Sequence, residues 1–186
     1  MIDNFSRRIL AFQVADRMDV ANVVAVLAGA ASAAVRVTGA PPADAPMLVV
    51  DGGVENFNAK VDELLASGVL RRVLALTDLS FSNSMIEAYW RTMKHQWLFL
   101  NTLDSVGAVR RLVTFDVAAH NSQVPHSAFR GQTPDEVYFS TGAEVPISLQ
   151  AARKRAQRDR SAANRETTCG ACTALAPPTI ETRAVA

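Results

Sequence analysis

The sequence predicts an α/β domain followed by a helical C-terminal part, and two observations carry that reading. Short apolar runs bounded by Pro, Gly and Asp alternate with longer amphipathic stretches as far as about Leu76, and from Ser84 onward only helical patterns follow. The length of 186 residues fits one sizeable domain plus a tail, and is too short for two full enzyme domains. A composition of 49% hydrophobic and 20% charged residues is globular, which excludes a wholly disordered chain. The net charge of +1 lacks the overall basic excess of many nucleic-acid-binding domains, so any such function has to lie in a local segregation of charge.

Arg8 to Val14 is rich in large apolar residues and reads as a strand. Asp16 or Asp19 caps a helix running to about Val35, which Gly39-Ala40-Pro41-Pro42 closes. Met47 to Val50, between Pro46 and Asp51-Gly52-Gly53, reads as a short buried strand. Asn58 to Ala66 is helical and ends at Gly68, and a further strand is expected around Val73 to Leu76. After a polar loop from Thr77 to Asn83, helices are expected from Ser84 to Leu98 and from Asp104 or Ser105 to about His120. Thr133-Pro134-Asp135-Glu136 carries a whole helix start: Thr as cap, Pro at the first helical position and Glu at the third. Ala151 to Arg165 is basic and without an apolar stripe, and beyond Thr167 the Thr-, Ala- and Pro-rich composition predicts disorder. The expected organisation is a core over residues 1–140, a basic helical extension over 141–168 and a disordered tail over 169–186.

The N-terminus carries no signal-peptide pattern. The longest uncharged stretch, Val20 to Val35, spans sixteen residues, which suits a buried helix better than a membrane span. Two cysteines, Cys169 and Cys172, make no disulfide framework, so a soluble cytoplasmic protein is expected. Cys169-Gly170-Ala171-Cys172 is half of a zinc ribbon with no second pair, and a free or partly oxidised dithiol is the simpler reading.

Two carboxylates stand out. Asp51 ends a buried strand and precedes two glycines, where a ligand can approach; alone, it reads as a turn aspartate bonding its own backbone. Glu87 falls in the first turn of a long helix; alone, Ser84-Met85-Ile86-Glu87 reads as a capping box. Thirty-five residues separate the two. Arg91 and Lys94 follow Glu87 by four and seven positions, so carboxylate, guanidinium and ammonium share one helix face. A solvated salt-bridge ladder gives the same pattern.

In this combination the sequence resembles the DDE transposases and retroviral-type integrases, whose catalytic core is RNase H-like. Ile2-Asp3-Asn4-Phe5-Ser6-Arg7-Arg8-Ile9 resembles the hairpin between that family's second and third strands. Asp51-Gly52-Gly53-Val54-Glu55-Asn56-Phe57 resembles the segment holding its second catalytic aspartate, and the stretch from Asn83 to Lys94 its catalytic-glutamate helix. His120-Asn121, Pro125-His126-Ser127-Ala128 and Gly131-Gln132-Thr133-Pro134-Asp135-Glu136 resemble the closing signature of bacterial insertion-sequence transposases. The resemblance covers about Ile2 to Phe139. It implies a mixed RNase H-like sheet flanked by helices, with Asp51 and Glu87 as catalytic residues and metal ligands, and Lys94 and Arg91 as DNA contacts.

The implied chemistry is DNA strand transfer by metal-assisted phosphoryl transfer. Three carboxylates hold two Mg²⁺ (or Mn²⁺) ions, hard cations that prefer oxygen ligands. One ion activates a water or 3′-hydroxyl and the other stabilises the leaving oxygen. The implied partners are transposon ends and target DNA, and a second copy or an intact transposase, in a bacterial, nucleoid-associated setting with no membrane. By the resemblance, the first carboxylate lies on a strand preceding the segment like Ile2 to Ile9, and Asp3 is a turn residue rather than that ligand. The chain is therefore expected to lack the first strand and most of the second, to leave Arg8 to Val14 without its partner, and to be catalytically inert as it stands. A non-catalytic DNA-binding remnant is the alternative function; an RNase H-type nuclease shares the chemistry but leaves the Pro125 to Glu136 signature without explanation.

His120, His126 and Glu136 match no common zinc spacing, and His126 is expected to cap or pack within its loop. Trp90 and Trp97 are expected to pack in the core. Between Ala151 and Arg165, six cations (Arg153, Lys154, Arg155, Arg158, Arg160 and Arg165) face the single Asp159. A solvated helix and one that contacts phosphates read equally well, and Arg153, Lys154, Arg155 and Arg158 are the DNA-binding candidates.

Overall fold

The computed structural model describes residues 1–17, 19–38, 45–50, 53, 57–74 and 84–166. The chain is a mixed α/β protein, mostly helical, and divides at Val145–Pro146 into two units. In the first unit the order is α1 (Val20–Thr38), β1 (Met47–Val50), α2 (Ala59–Ala66), β2 (Arg71–Leu74), α3 (Ser84–Gln96), α4 (Val106–Ser122) and α5 (Pro134–Tyr138). Single 3₁₀ turns lie at Leu98–Leu100 and Ser127–Phe129. The last helix, α6 (Val145–Glu166), starts at the boundary and runs through the second unit.

Local capping chemistry sets most helix starts. Asp19, rather than Asp16, opens α1: its carboxylate accepts from the Ala21 N–H at 2.8 Å. Asn58, Ser105 and Thr133 cap α2, α4 and α5 by accepting from Val61, Ala108 and Glu136. At Thr133 both bonds of the capping box form, with Pro134 at the first helical position. Gly68, at φ 77°, ends the turn after α2 in the left-handed region that glycine enters without strain. Helix α3 begins at Ser84 itself, so Ser84 stands inside the first turn rather than before it as the cap.

The strands differ more from expectation. β1 and β2 form a parallel pair in the register Met47↔Arg71 to Val50↔Leu74, joined through α2. β2 therefore starts at Arg71, ahead of the expected Val73, and the expected Leu76 lies outside the described residues. Arg8 to Val14 is not a strand: the Ile2↔Ile9 antiparallel bridge is its one ladder contact among the described residues. The apolar content was right for an extended, half-buried segment, but a strand also requires a neighbour to pair with. The tail beyond residue 166, with Cys169 and Cys172, lies outside the described residues.

The first unit contains two apolar clusters. One joins Ile9 to Tyr89 and Met93 of α3 and to Val113 and Val117 of α4, with Trp90 and Trp97 packed against it as expected. The other joins Leu27 and Ala31 of α1 to Leu48 and Val50 of β1, Val61 of α2 and Leu70. A domain of this size ordinarily has one contiguous core. No helix among the described residues is long and apolar enough to cross a membrane.

Candidate active site

Helix α3 is fixed by one face and free on the other. Tyr89 and Met93 are buried, Ile86 and Trp90 half-buried, while Glu87, Arg91 and Lys94 are exposed and lie four and seven positions along the opposite face. The Tyr89 hydroxyl donates to Asp116 of α4 at 2.8 Å, and burial, reinforced by that hydrogen bond and the Asp116 charge, drives the phenol well above its ordinary pKa. The Trp97 indole N–H donates to the Leu112 carbonyl at 3.0 Å, fixing the end of the helix.

The salt-bridge ladder does not form. The ion pairs between described residues are Arg8–Asp135 and Arg72–Asp62; Glu87 is in neither, despite Arg91 four residues on. Glu87 thus presents its carboxylate to solvent at the positive end of the helix dipole, where negative charge is favoured.

Asp51 lies outside the described residues. Its chain neighbour Val50, the last residue of β1, lines one cavity together with Ile86, the residue before Glu87. Among the described residues no group of three His, Cys, Asp or Glu side chains is gathered to hold a metal. The donor chemistry of Glu87, a carboxylate not held in an ion pair between described residues, fits a hard divalent cation.

The segments at the two ends of the first unit meet. His120 Nε2 lies 2.9 Å from the Arg7 carbonyl. Asn121 brackets the Ile9 main chain, accepting from its N–H at 2.9 Å and donating to its carbonyl at 3.0 Å. Arg8 pairs with Asp135 of α5 at 2.6 Å and lies over the Tyr138 and Phe139 rings. The α3 helix joins through Tyr89, whose ring sits 4.7 Å from that of His120, and through Met85, whose sulfur meets the Arg7 guanidinium. These long-range contacts had no sequence signal beyond the presence of the segments themselves.

Asp3 closes the hairpin: its Oδ2 accepts from the Ser6 N–H at 2.7 Å and hydroxyl at 2.5 Å, and its carbonyl accepts from Arg7, which takes the left-handed φ of 64°. His126 accepts from the Ala128 N–H through Nδ1, capping its 3₁₀ turn. Burial first, then the nearby His120 and Arg7 charges, lower its pKa. Glu136 is engaged in the capping box, where its carboxylate accepts from the Thr133 N–H at 2.8 Å.

In the second unit, α6 buries none of its side chains, and Arg153, Lys154, Arg155 and Arg158 are all exposed. No protein-family model and no curated protein matches this chain.

Proposed function

We propose that this chain is part of a DDE transposase or retroviral-type integrase catalytic core of RNase H-like fold, acting on DNA by metal-assisted phosphoryl transfer. The observation that carries the reading is the contact between its signature segments. His120, Asn121 and Asp135 grip the Arg7-Arg8-Ile9 main chain and side chain, and the Tyr89 ring of the glutamate helix packs at a tilt against that of His120. Three of the four resembling segments, the hairpin, the glutamate helix and the closing signature, thereby pack together.

In this reading Asp51 and Glu87 are the second and third carboxylates, and both hold metal. A bound pair of Mg²⁺ or Mn²⁺ ions supplies activation of the attacking oxygen and stabilisation of the leaving one. Glu87 is carried by a helix whose buried face is pinned by Tyr89 and Met93, so its position does not depend on its own contacts. Lys94 and Arg91, beside it on the exposed face, contact the substrate phosphates. The partners are transposon ends and target DNA, with a second copy in the assembly, in the bacterial cytoplasm at the nucleoid.

The test is strand transfer in Mg²⁺ buffer, by the chain as it stands and by the chain extended with the in-frame sequence upstream of Met1. Transfer by the extended protein alone is expected, abolished by Asp51→Asn or Glu87→Gln with DNA binding retained. Survival of activity in either variant overturns the assignment.

A second reading, a DNA-binding remnant without catalysis, is favoured by α6, whose exposed cations need no catalytic site to bind phosphates. It is distinguished by DNA binding without transfer in both proteins.

A further inference from the structure

Helix α3 runs on into an exposed aromatic step. Around the helix axis Glu87, Arg91, Lys94 and His95 fall within about 100° of one another, and all four are exposed. Beyond Gln96 the chain tightens into the 3₁₀ turn Leu98–Leu100, which buried Leu98 anchors in the core. The Trp97 carbonyl holds that turn, accepting from the Leu100 N–H at 3.2 Å and from the Asn101 carboxamide at 2.8 Å. Phe99 projects outward from it, 58% exposed, with its ring 5.3 Å from that of His95 and edge-to-face at 84°. An edge-to-face contact covers at most one face of either ring, so a flat phenyl face stays open to solvent. A scattered exposed apolar side chain is ordinary, but this one sits on a fixed turn at the end of a cationic row. From Ala88 to Leu103 the charged side chains are Arg91 and Lys94, with no Asp or Glu. Neither cation is held in an ion pair between described residues.

We propose that Phe99, braced by His95, is a stacking platform for one unpaired DNA base at the far end of the phosphate-contacting row. The inference rests on the DNA reading above and adds to it a preference for DNA opened at a junction of duplex and single strand. A ring flanked by cations holds a strand without sequence choice, the cations taking its phosphates and the ring a base. The apolar side chains of Phe99 and Leu100 suit a protein partner as well; the cations beside them, with no acid in the same stretch, favour a polyanion. His95 follows Glu87 by eight positions, or ~12 Å along the axis at ~1.5 Å per residue. That distance spans about three to four base steps at ~3.4 Å each, so the stacked base lies several steps from the carboxylate.

The full chain is titrated, by fluorescence anisotropy, with a blunt duplex and with the same duplex carrying about four unpaired adenines on each strand in turn, an arm that matches this span. One forked probe is expected to bind at least about fivefold more tightly than the blunt one. Phe99→Leu keeps the apolar bulk and removes the ring face. It is expected to bring that ratio to about one, with blunt-duplex affinity unchanged within about twofold, and Phe99→Trp to restore the preference. A 5-iodouracil placed in the arm is expected to crosslink to Phe99 on irradiation, a wild-type readout that decides alone if a variant fails to fold. Equal affinity of the wild type for all probes, a fork preference that survives Phe99→Leu, or a crosslink confined to other residues overturns this proposal while duplex binding upholds the DNA reading. No binding of any probe overturns both. Self-association without DNA that Phe99→Leu abolishes, read by sedimentation, also overturns the platform, because the patch is then a contact between copies.

Discussion

The carboxamide of Asn121 meets the main chain of Ile9 across 112 residues of sequence, one oxygen on the N–H and one nitrogen on the carbonyl. It thereby does for Ile9 what a neighbouring strand does in a sheet. Both partners are buried, so no water stands ready to replace the side chain. Asn121→Ala leaves a donor and an acceptor unmet, at a cost of roughly 2–4 kcal/mol, read as a lower urea midpoint. Asn121→Asp is also destabilising, since it removes the donor and sets an anion against the Ile9 carbonyl. An unchanged midpoint in Asn121→Ala refutes the bracket.

Arg8 combines a short ion pair with two aromatic contacts, and neither is fully exposed. Lysine cannot reproduce the planar stacking, so Arg8→Lys should cost about 1 kcal/mol even though the charge remains. A double-mutant cycle with Arg8→Met and Asp135→Asn is expected to give a coupling of roughly 0.5–1 kcal/mol. Zero coupling assigns the whole effect to the rings.

His126 links stability to pH. Its Nδ1 serves as acceptor for the Ala128 N–H, a role only the unprotonated nitrogen fills. Its folded pKa lies below the ordinary histidine value of ~6.5, so the unfolded chain binds the proton more readily. Stability from this site is therefore complete above the unfolded pKa and is lost as pH falls from there through the folded pKa. The thermal midpoint of the wild type should fall more steeply on acidification than that of His126→Asn, which keeps an acceptor without the titration. Parallel curves reject the linkage.

Glu87→Gln separates site from scaffold. With its side chain exposed and outside the ion pairs between described residues, the substitution should change stability by less than about 0.5 kcal/mol. A larger loss in a urea melt assigns Glu87 a structural role.

The basic face of α6 is tested by salt. Replacing Arg153, Lys154, Arg155 and Arg158 with Ala should weaken duplex binding uniformly across sequences. The slope of log K against log salt should also flatten by up to about 3.6, close to one for each phosphate no longer neutralised. An unchanged slope leaves α6 as a solvated helix.

Helix starts were legible because a cap and its donor lie within three residues: Asn58, Ser105 and Thr133 could be read without the fold. The shared exposed face of Glu87, Arg91 and Lys94 was legible for the same reason, as a helical period is local. Arg8 to Val14 reads as a strand from its composition, which reports burial and not pairing; the structure gives it one ladder contact among the described residues, at Ile9, in keeping with the expectation that it lacks its partner. The grip of Asn121 on Ile9 was invisible, since nothing near either residue specifies the other. Asp51 lies outside the described residues, so the carboxylate pair of the candidate site stands on its spacing in the sequence.

The parallel β1–β2 pair closes through one short helix, whereas the Asn121–Ile9 bracket spans 112 residues. Closing the longer loop costs more chain entropy, and it also requires α4 to be formed first. The β1–α2–β2 unit is therefore expected to assemble early, and the N-terminal segment to dock last. Substitutions at Asn121 should then accelerate unfolding and leave the folding rate almost unchanged.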